Sequence, residues 1–102
     1  MSPNNDQVAQ MAVEVGMFLS WYMDTYDKIP SLNINNDIAN RILRREGYSE
    51  DLGFMVSMMA TSGINVSKDI RKNTNFDAMI NDFLEGISLS INDVSAWTNE
   101  DK

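Results

Sequence analysis

The side chains of this chain that could do chemistry are mainly carboxylates, and two pairs of them have helical spacing. Asp24 precedes Asp27 by three residues, and Asp82 precedes Glu85 by three. Acid–base catalysis needs two carboxylates in contrasting environments within a cleft, and carboxylate metal sites in bundles combine glutamate with histidine. The chain has no histidine and no cysteine. The sequence therefore predicts a protein that is not an enzyme, with no catalytic residue, no metal site and no cofactor.

Most of the basic residues lie in two groups in the middle of an acidic chain. The formal net charge is −7, and apart from Lys28 and Lys102 the cations are Arg41, Arg44, Arg45, Lys68, Arg71 and Lys72. Such a patch could pair with the chain's own acidic helices, bind an acidic partner or contact nucleic acid; the simplest interpretation is a solvated face with weak ion pairs. Because nucleic acid and anionic membranes both repel an acidic chain, neither is an expected partner.

The longest apolar-rich run, from Asp6 to Tyr26, positions the rest of the chain. We expect a helix capped by Asp6 and stopped before Pro30. Its apolar residues recur with helical spacing and predict a stripe that faces the core. The stripe consists of Val8, Met11, Ala12, Val15, Phe18, Leu19, Tyr22 and Tyr26.

A second apolar line, Val13, Met17 and Trp21, lies opposite this stripe. A helix that is apolar on two sides either sits at the centre of its own fold or buries the second side against a partner chain. The second alternative predicts a homodimer, since two-fold symmetry is the commonest arrangement of oligomers. We expect Trp21 to lie in or beside that interface.

The remaining segments also predict helices, and no strand pattern is evident. The expected fold is all-α, a small bundle of four main helices plus one short helix, with the first and last helices longest. Residues 1–102 form a single domain with frayed tails at 1–5 and 99–102. After the first helix we expect a linker over Asp27–Asn36 and then a helix over Asp37–Glu46 that Gly47 ends. The third helix is capped by Ser49 and ends at Ser62–Gly63, and a short helix follows within Ile64–Asn73. The last helix is long and runs from Thr74 or Asn75 almost to Trp97, with a bend or break near Gly86, Ser88 and Ser90.

Methionine is abundant, with eight residues in the chain. Met55, Met58 and Met59 lie close together in the third helix, and further methionines line the first. Methionine fills cores adaptably and also suits surfaces that accept a partner. We interpret these methionines as core filling.

Composition limits the class of protein and its location. The chain is 43% hydrophobic and 23% charged, which is typical of a folded soluble domain and excludes intrinsic disorder. No run reaches the roughly 18 apolar residues of a membrane span, and the beginning of the chain lacks the basic segment of a secretory signal. We therefore expect a cytoplasmic protein, in the host cytoplasm if it is viral.

Three functions are compatible with these observations. The leading hypothesis is a non-enzymatic regulatory or adaptor module that acts by protein–protein interaction, homo-oligomeric through Val13, Met17 and Trp21. The second is an acidic inhibitor or DNA-mimic-like protein, of the kind that phages and mobile elements encode, which binds a basic protein surface. The third is a DNA-binding regulator that uses the cluster of Arg41, Arg44 and Arg45.

The net charge predicts no measurable binding of duplex DNA near physiological salt, because affinity for phosphates requires clustered cations. A gel-shift assay with the purified protein checks this. Sub-micromolar affinity that disappears in the double variant Arg44→Glu, Arg45→Glu would contradict the prediction and favour the DNA-binding regulator. Genuine phosphate contacts must also weaken as salt rises.

Overall fold

A computed structural model describes residues 2–48, 52–63 and 75–100 of the chain. These residues form helices joined by short connections, with no strand among them, which confirms the predicted all-α class. The predicted Ser49 cap and the predicted short helix within Ile64–Asn73 lie outside the described residues. The helices are α1 (Asn5–Tyr26), α2 (Leu32–Arg45), α3 (Gly53–Gly63), α4 (Phe76–Gly86) and α5 (Ile91–Glu100).

Helix α1 begins earlier than predicted, because a reciprocal cap forms ahead of Asp6. The Asn4 side chain accepts from the backbone N–H of Gln7 at 2.9 Å, and the Gln7 side chain accepts from the Asn4 N–H at 2.8 Å. This capping box satisfies two amide groups that a helix start leaves without partners. Asp6 lies in the first turn instead, so its predicted role as the cap is wrong.

Helix α2 begins at Leu32, five residues before the predicted start at Asp37. The Ser31 hydroxyl caps it by accepting from the Ile34 N–H at 3.2 Å, so the predicted linker over Asp27–Asn36 is too long. Burial of Ile34 outweighs the turn preference of the surrounding asparagines. The helix ends as predicted, with Gly47 in the left-handed region at φ 86°.

The expected long last helix is two helices, broken where glycine and serine weaken the pattern. Helix α4 ends with Ser88 in the left-handed region at φ 62°, and the Leu89 N–H donates to the Leu84 carbonyl at 2.9 Å. Helix α5 then starts with a second reciprocal cap. The Ser90 N–H donates to Asp93 Oδ2 at 2.9 Å, and the Asp93 N–H donates to Ser90 Oγ at 3.1 Å. The last helix is therefore not among the longest.

Helix α1 lies at the centre of the fold and packs against α2, α3 and α4. Of its predicted core stripe, Leu19 and Tyr26 are partly buried against the core and the other members are fully buried. The buried apolar residues of the later elements complete this core. They are Ile34, Ile38, Ala39, Ile42, Leu43, Val56, Ala60, Ile80, Leu84, Ile87, Leu89 and Val94.

An aromatic cluster at the end of α1 connects that helix to α4 and α5. Trp21 packs edge-on against Tyr26, with ring centroids 5.7 Å apart, and the Tyr22 and Tyr26 centroids are 4.9 Å apart. The Trp21 indole N–H donates to Asp77 Oδ1 of α4 at 3.2 Å. The Thr98 hydroxyl of α5 donates to the Tyr22 hydroxyl at 3.0 Å. Burial, and then the neighbouring Tyr22, raise the pKa of Tyr26 above its ordinary value.

The cap of α5 predicts a pH dependence of stability. Hydrogen bonds from the Ser90 backbone and then from its side chain hold the pKa of Asp93 below its ordinary value. Such a carboxylate stabilises the fold above its unfolded-state pKa and stops doing so as the pH falls through the folded-state pKa. Asp93→Asn should therefore be less stable than wild type at neutral pH, with the difference closing below about pH 4. Urea unfolding at a series of pH values measures it; a difference that does not change with pH contradicts the assignment.

Candidate functional site

Helix α3 presents its large apolar side chains to solvent. The segment Gly53–Gly63 contains no charged residue, and its outward side chains are 58%, 43%, 45% and 38% exposed for Phe54, Met55, Met58 and Met59. We call these four residues the α3 face. The interpretation of the three methionines as core filling is wrong, whereas it holds for Met11, which is 3% exposed.

The inward side of α3 explains why the large residues point outward. Gly53, Val56, Ser57 and Ala60 are buried at helical spacing. A Cβ at Gly53 would overlap the Asn40 side chain of α2. The Ser57 hydroxyl donates to Asn36 Oδ1, also of α2, at 2.6 Å. Small residues on the inner side allow α3 to approach its neighbours closely. Valine is thus the largest buried residue of α3, and its still larger apolar residues lie on the outer side, where an ordinary surface helix carries polar ones.

A groove of about 270 Å³ lies at the end of α3, between that helix, α1 and the start of α2. Ala60 and Thr61 line it on one side, and Met23 and Ile29 line it on the other. Ile29 is 79% exposed. Asn35 also lines the groove, and none of the described residues donates a hydrogen bond to its buried Oδ1. A buried acceptor without a donor is costly, and this oxygen is not accessible from the groove.

The predicted apolar line on α1 is not a continuous surface. Val13 is 44% exposed, Met17 is half-buried, and Trp21 is only 3% exposed. Trp21 belongs to the aromatic cluster and bonds to α4, so the chain's own helices bury it; its place in or beside a dimer interface stays a prediction. The homodimer itself stays a prediction, but Trp21, on which that prediction depended, is not exposed on this line.

Two of the three clustered arginines make contacts within the chain. Arg41 pairs with Asp37 at 2.9 Å, donates to the Ile87 carbonyl at 3.2 Å and lies over the Trp97 ring at 5.9 Å. It therefore joins α2 to the turn between α4 and α5. The third hydrogen-bond acceptor near it is the Ser88 carbonyl, at 3.4 Å.

Arg45 likewise makes contacts within the chain. The Arg45 guanidinium lies 2.7 Å from Glu14 on α1 and 2.7 Å from Glu46. Arg44 is exposed, and in the described part of the chain it forms no ion pair. The three arginines line one open depression, but Arg41 and Arg45 donate to acceptors within the chain.

The carboxylate pairs do not form a reactive centre in the described part of the chain. Asp24, Asp27, Asp82 and Glu85 are all exposed. Over residues 2–48, 52–63 and 75–100, no group of three or more side chains that could hold a metal ion is present. Solvated carboxylates of this kind lack the contrasting environments that acid–base chemistry requires.

Comparison with known proteins identifies no relative of the chain. No family model matches it, and neither the curated proteins nor the solved structures contain a match. Within the described ranges, the helices are too short or too polar to span a bilayer.

The exposure of the α3 face predicts the order in which the methionines oxidise. Hydrogen peroxide should convert Met55, Met58 and Met59 to sulfoxides well before Met11, because oxidation follows access to the sulfur. A peroxide time course read by peptide mass spectrometry measures this order, and the same protein unfolded in urea, in which all sites should react alike, is the control. Equal rates for Met11 and Met58 in the folded protein would contradict the arrangement.

Proposed function

We propose that this chain acts by binding another protein, and that the α3 face is its contact surface. The observation that carries the proposal is the packing of α3, which buries glycine, valine, serine and alanine while the larger phenylalanine and three methionines face water. Adaptable methionine side chains suit a surface that must fit a partner. The function remains the predicted protein–protein interaction, but the supporting surface is on α3 instead of α1.

The size of the surface supports this function. Roughly half of each of four large side chains is exposed, which gives on the order of 300–400 Å² of apolar area, within the range where the largest patch of a monomer is often functional. Covering this area would contribute several kcal/mol at about 25 cal/mol per Å² before the costs of association. Isolated exposed apolar residues need no such explanation, but four on one short uncharged helix do.

The charge distribution does not favour nucleic acid as the ligand. Arg41 and Arg45 are directed to carboxylates and carbonyl groups of the chain itself, so releasing them for phosphates would break existing contacts. The α3 face has no hydrogen-bonding side chain with which to read bases. An interaction driven by apolar contact with a protein surface fits the described residues better.

A site-specific crosslink tests the proposed surface. A photoreactive phenylalanine analogue in place of Phe54 should crosslink a partner in cells of the source organism. The same analogue at Ala9, which is exposed on α1, should not crosslink that partner. Adding Met58→Glu should abolish the Phe54 crosslink, because burying a charge at an apolar contact is costly, while circular dichroism shows unchanged helicity.

Two results would contradict the proposal. One is a crosslinked partner that appears equally from Ala9 and Phe54. The other is a crosslink from Phe54 that survives Met58→Glu, since it would show contact without dependence on the apolar face.

A further inference from the structure

The turn between α4 and α5 holds a serine in a backbone conformation that favours glycine. Ser88 has φ 62°, in the left-handed region that is costly for most residues with a Cβ and that glycine adopts readily. Ser88 is exposed, and its hydroxyl forms no hydrogen bond within the described part of the chain. The hydroxyl of Ser90, by contrast, caps α5. The local structure therefore gives no reason for a serine at position 88.

Ser88 also lines the depression of the three clustered arginines. This depression has a volume of about 340 Å³, and Gly86, Ile87 and Ser88 form the wall that comes from the end of α4. The Arg41 guanidinium donates to the Ser88 carbonyl at 3.4 Å, so this serine lies within reach of a cation. A group added to the exposed hydroxyl would extend from this wall beside the arginines.

The arginines retain N–H groups that no described residue accepts. Arg44 is exposed and forms no ion pair in the described ranges. The hydrogen bonds of Arg41 use its Nε and Nη1 atoms, and those of Arg45 use its Nε and Nη2 atoms. One terminal nitrogen of each therefore keeps its donors. A single phosphoryl group forms about one to three charge-assisted hydrogen bonds, so these arginines can hold one without breaking their existing contacts.

The chemistry of the depression favours a phosphoryl group. A guanidinium forms bidentate hydrogen bonds with phosphate, and Arg44 is the cation of the depression for which no described carboxylate competes. The carbonyl ends of α2 and α4 oppose an anion at this place, but the effect of a helix end at the surface is smaller than that of a charge-assisted hydrogen bond. The arginines therefore outweigh the helix ends.

We propose that Ser88 is a phosphorylation site and that the arginine depression receives its phosphoryl group. A protein kinase would transfer the γ-phosphoryl group of ATP: the bond from phosphorus to the ADP oxygen breaks, a bond from phosphorus to Ser88 Oγ forms, and the hydroxyl proton is released. Arg44 then pairs with the phosphate, and Arg41 and Arg45 contribute their remaining N–H groups. The modification ties the turn between α4 and α5 to the end of α2, and it does not depend on the α3 face.

Phosphoserine installed at position 88 of the full chain tests this arrangement. It is compared with unmodified wild type and with the same modified protein carrying Arg44→Gln. The control carries phosphoserine at position 62 instead, because Ser62 is exposed near the end of α3 and does not line the depression. Phosphorus NMR follows the second ionisation of each phosphate, urea unfolding measures stability, and circular dichroism verifies folding.

We expect the second pKa of phosphorylated Ser88 to lie below its usual value of about 6, because neighbouring guanidinium groups favour the dianion. Arg44→Gln should return that pKa towards its usual value, and so should unfolding in urea. Phosphorylation at Ser88 should also raise the ratio of folded to unfolded protein about tenfold, and Arg44→Gln should remove most of this gain. The phosphate of the Ser62 control should titrate near its usual pKa.

Three results would overturn the inference. An unshifted pKa for phosphorylated Ser88, or a shift that survives Arg44→Gln, shows that the depression does not receive the group. Inorganic phosphate that stabilises unmodified wild type through Arg44 as much as the covalent group does shows that the site takes a free ligand instead. Extract of the source organism supplied with labelled ATP should label wild type but not Ser88→Ala; no label, or equal label in both, contradicts the modification.

Discussion

Burial of α1 on several sides is the constraint on which the rest of this structure depends. Phe18 and Tyr22 are fully buried, and Trp21 is nearly so, which means that the C-terminal half of α1 needs neighbours around most of its circumference. Helices α4 and α5 provide part of this cover through the Asp77 and Thr98 contacts, and α2 and α3 cover the remaining sides. In a chain of 102 residues a single helix covered in this way supplies much of the core, because small domains bury a limited fraction of their surface.

This central position of α1 has a consequence for α3. Helix α3 packs against both α1 and α2, and its buried residues Gly53, Val56, Ser57 and Ala60 are none larger than valine. The larger side chains of the segment lie on the outer side. The apolar α3 face is thus a product of close helix packing as well as a candidate binding surface. Its phenylalanine and methionines lie where solubility favours polar residues, which is the reason for proposing it as a contact surface.

The sequence predicts the parts of the fold that depend on local pattern. The core stripe of α1 and the glycine terminator at Gly47 follow from periodicity and backbone preference, and both are confirmed. The predictions that are not confirmed depend on contacts between different helices, which local sequence patterns do not report. Trp21 lies across from the core stripe, and the periodicity of α1 alone does not show which other helix buries it. Arg41 donates to the Ile87 carbonyl, which lies 46 residues further along the chain. Met58 is hydrophobic enough for a core position, but the residues of α3 that are buried are the smaller ones at 53, 56, 57 and 60, and a hydrophobic pattern does not report this difference in size.

Native-state hydrogen exchange of the backbone amides of α1, measured at low and high protein concentration, tests most directly whether this helix is the core of a single chain. If α1 is the core of a single chain, the amides of Phe18–Tyr22 should be among the slowest in the protein and exchange only through global unfolding, with rates that do not change with protein concentration. Amides in this segment that open locally in dilute solution and gain protection as the protein is concentrated would contradict it, since they would show that a second copy, and not the chain's own helices, covers Trp21.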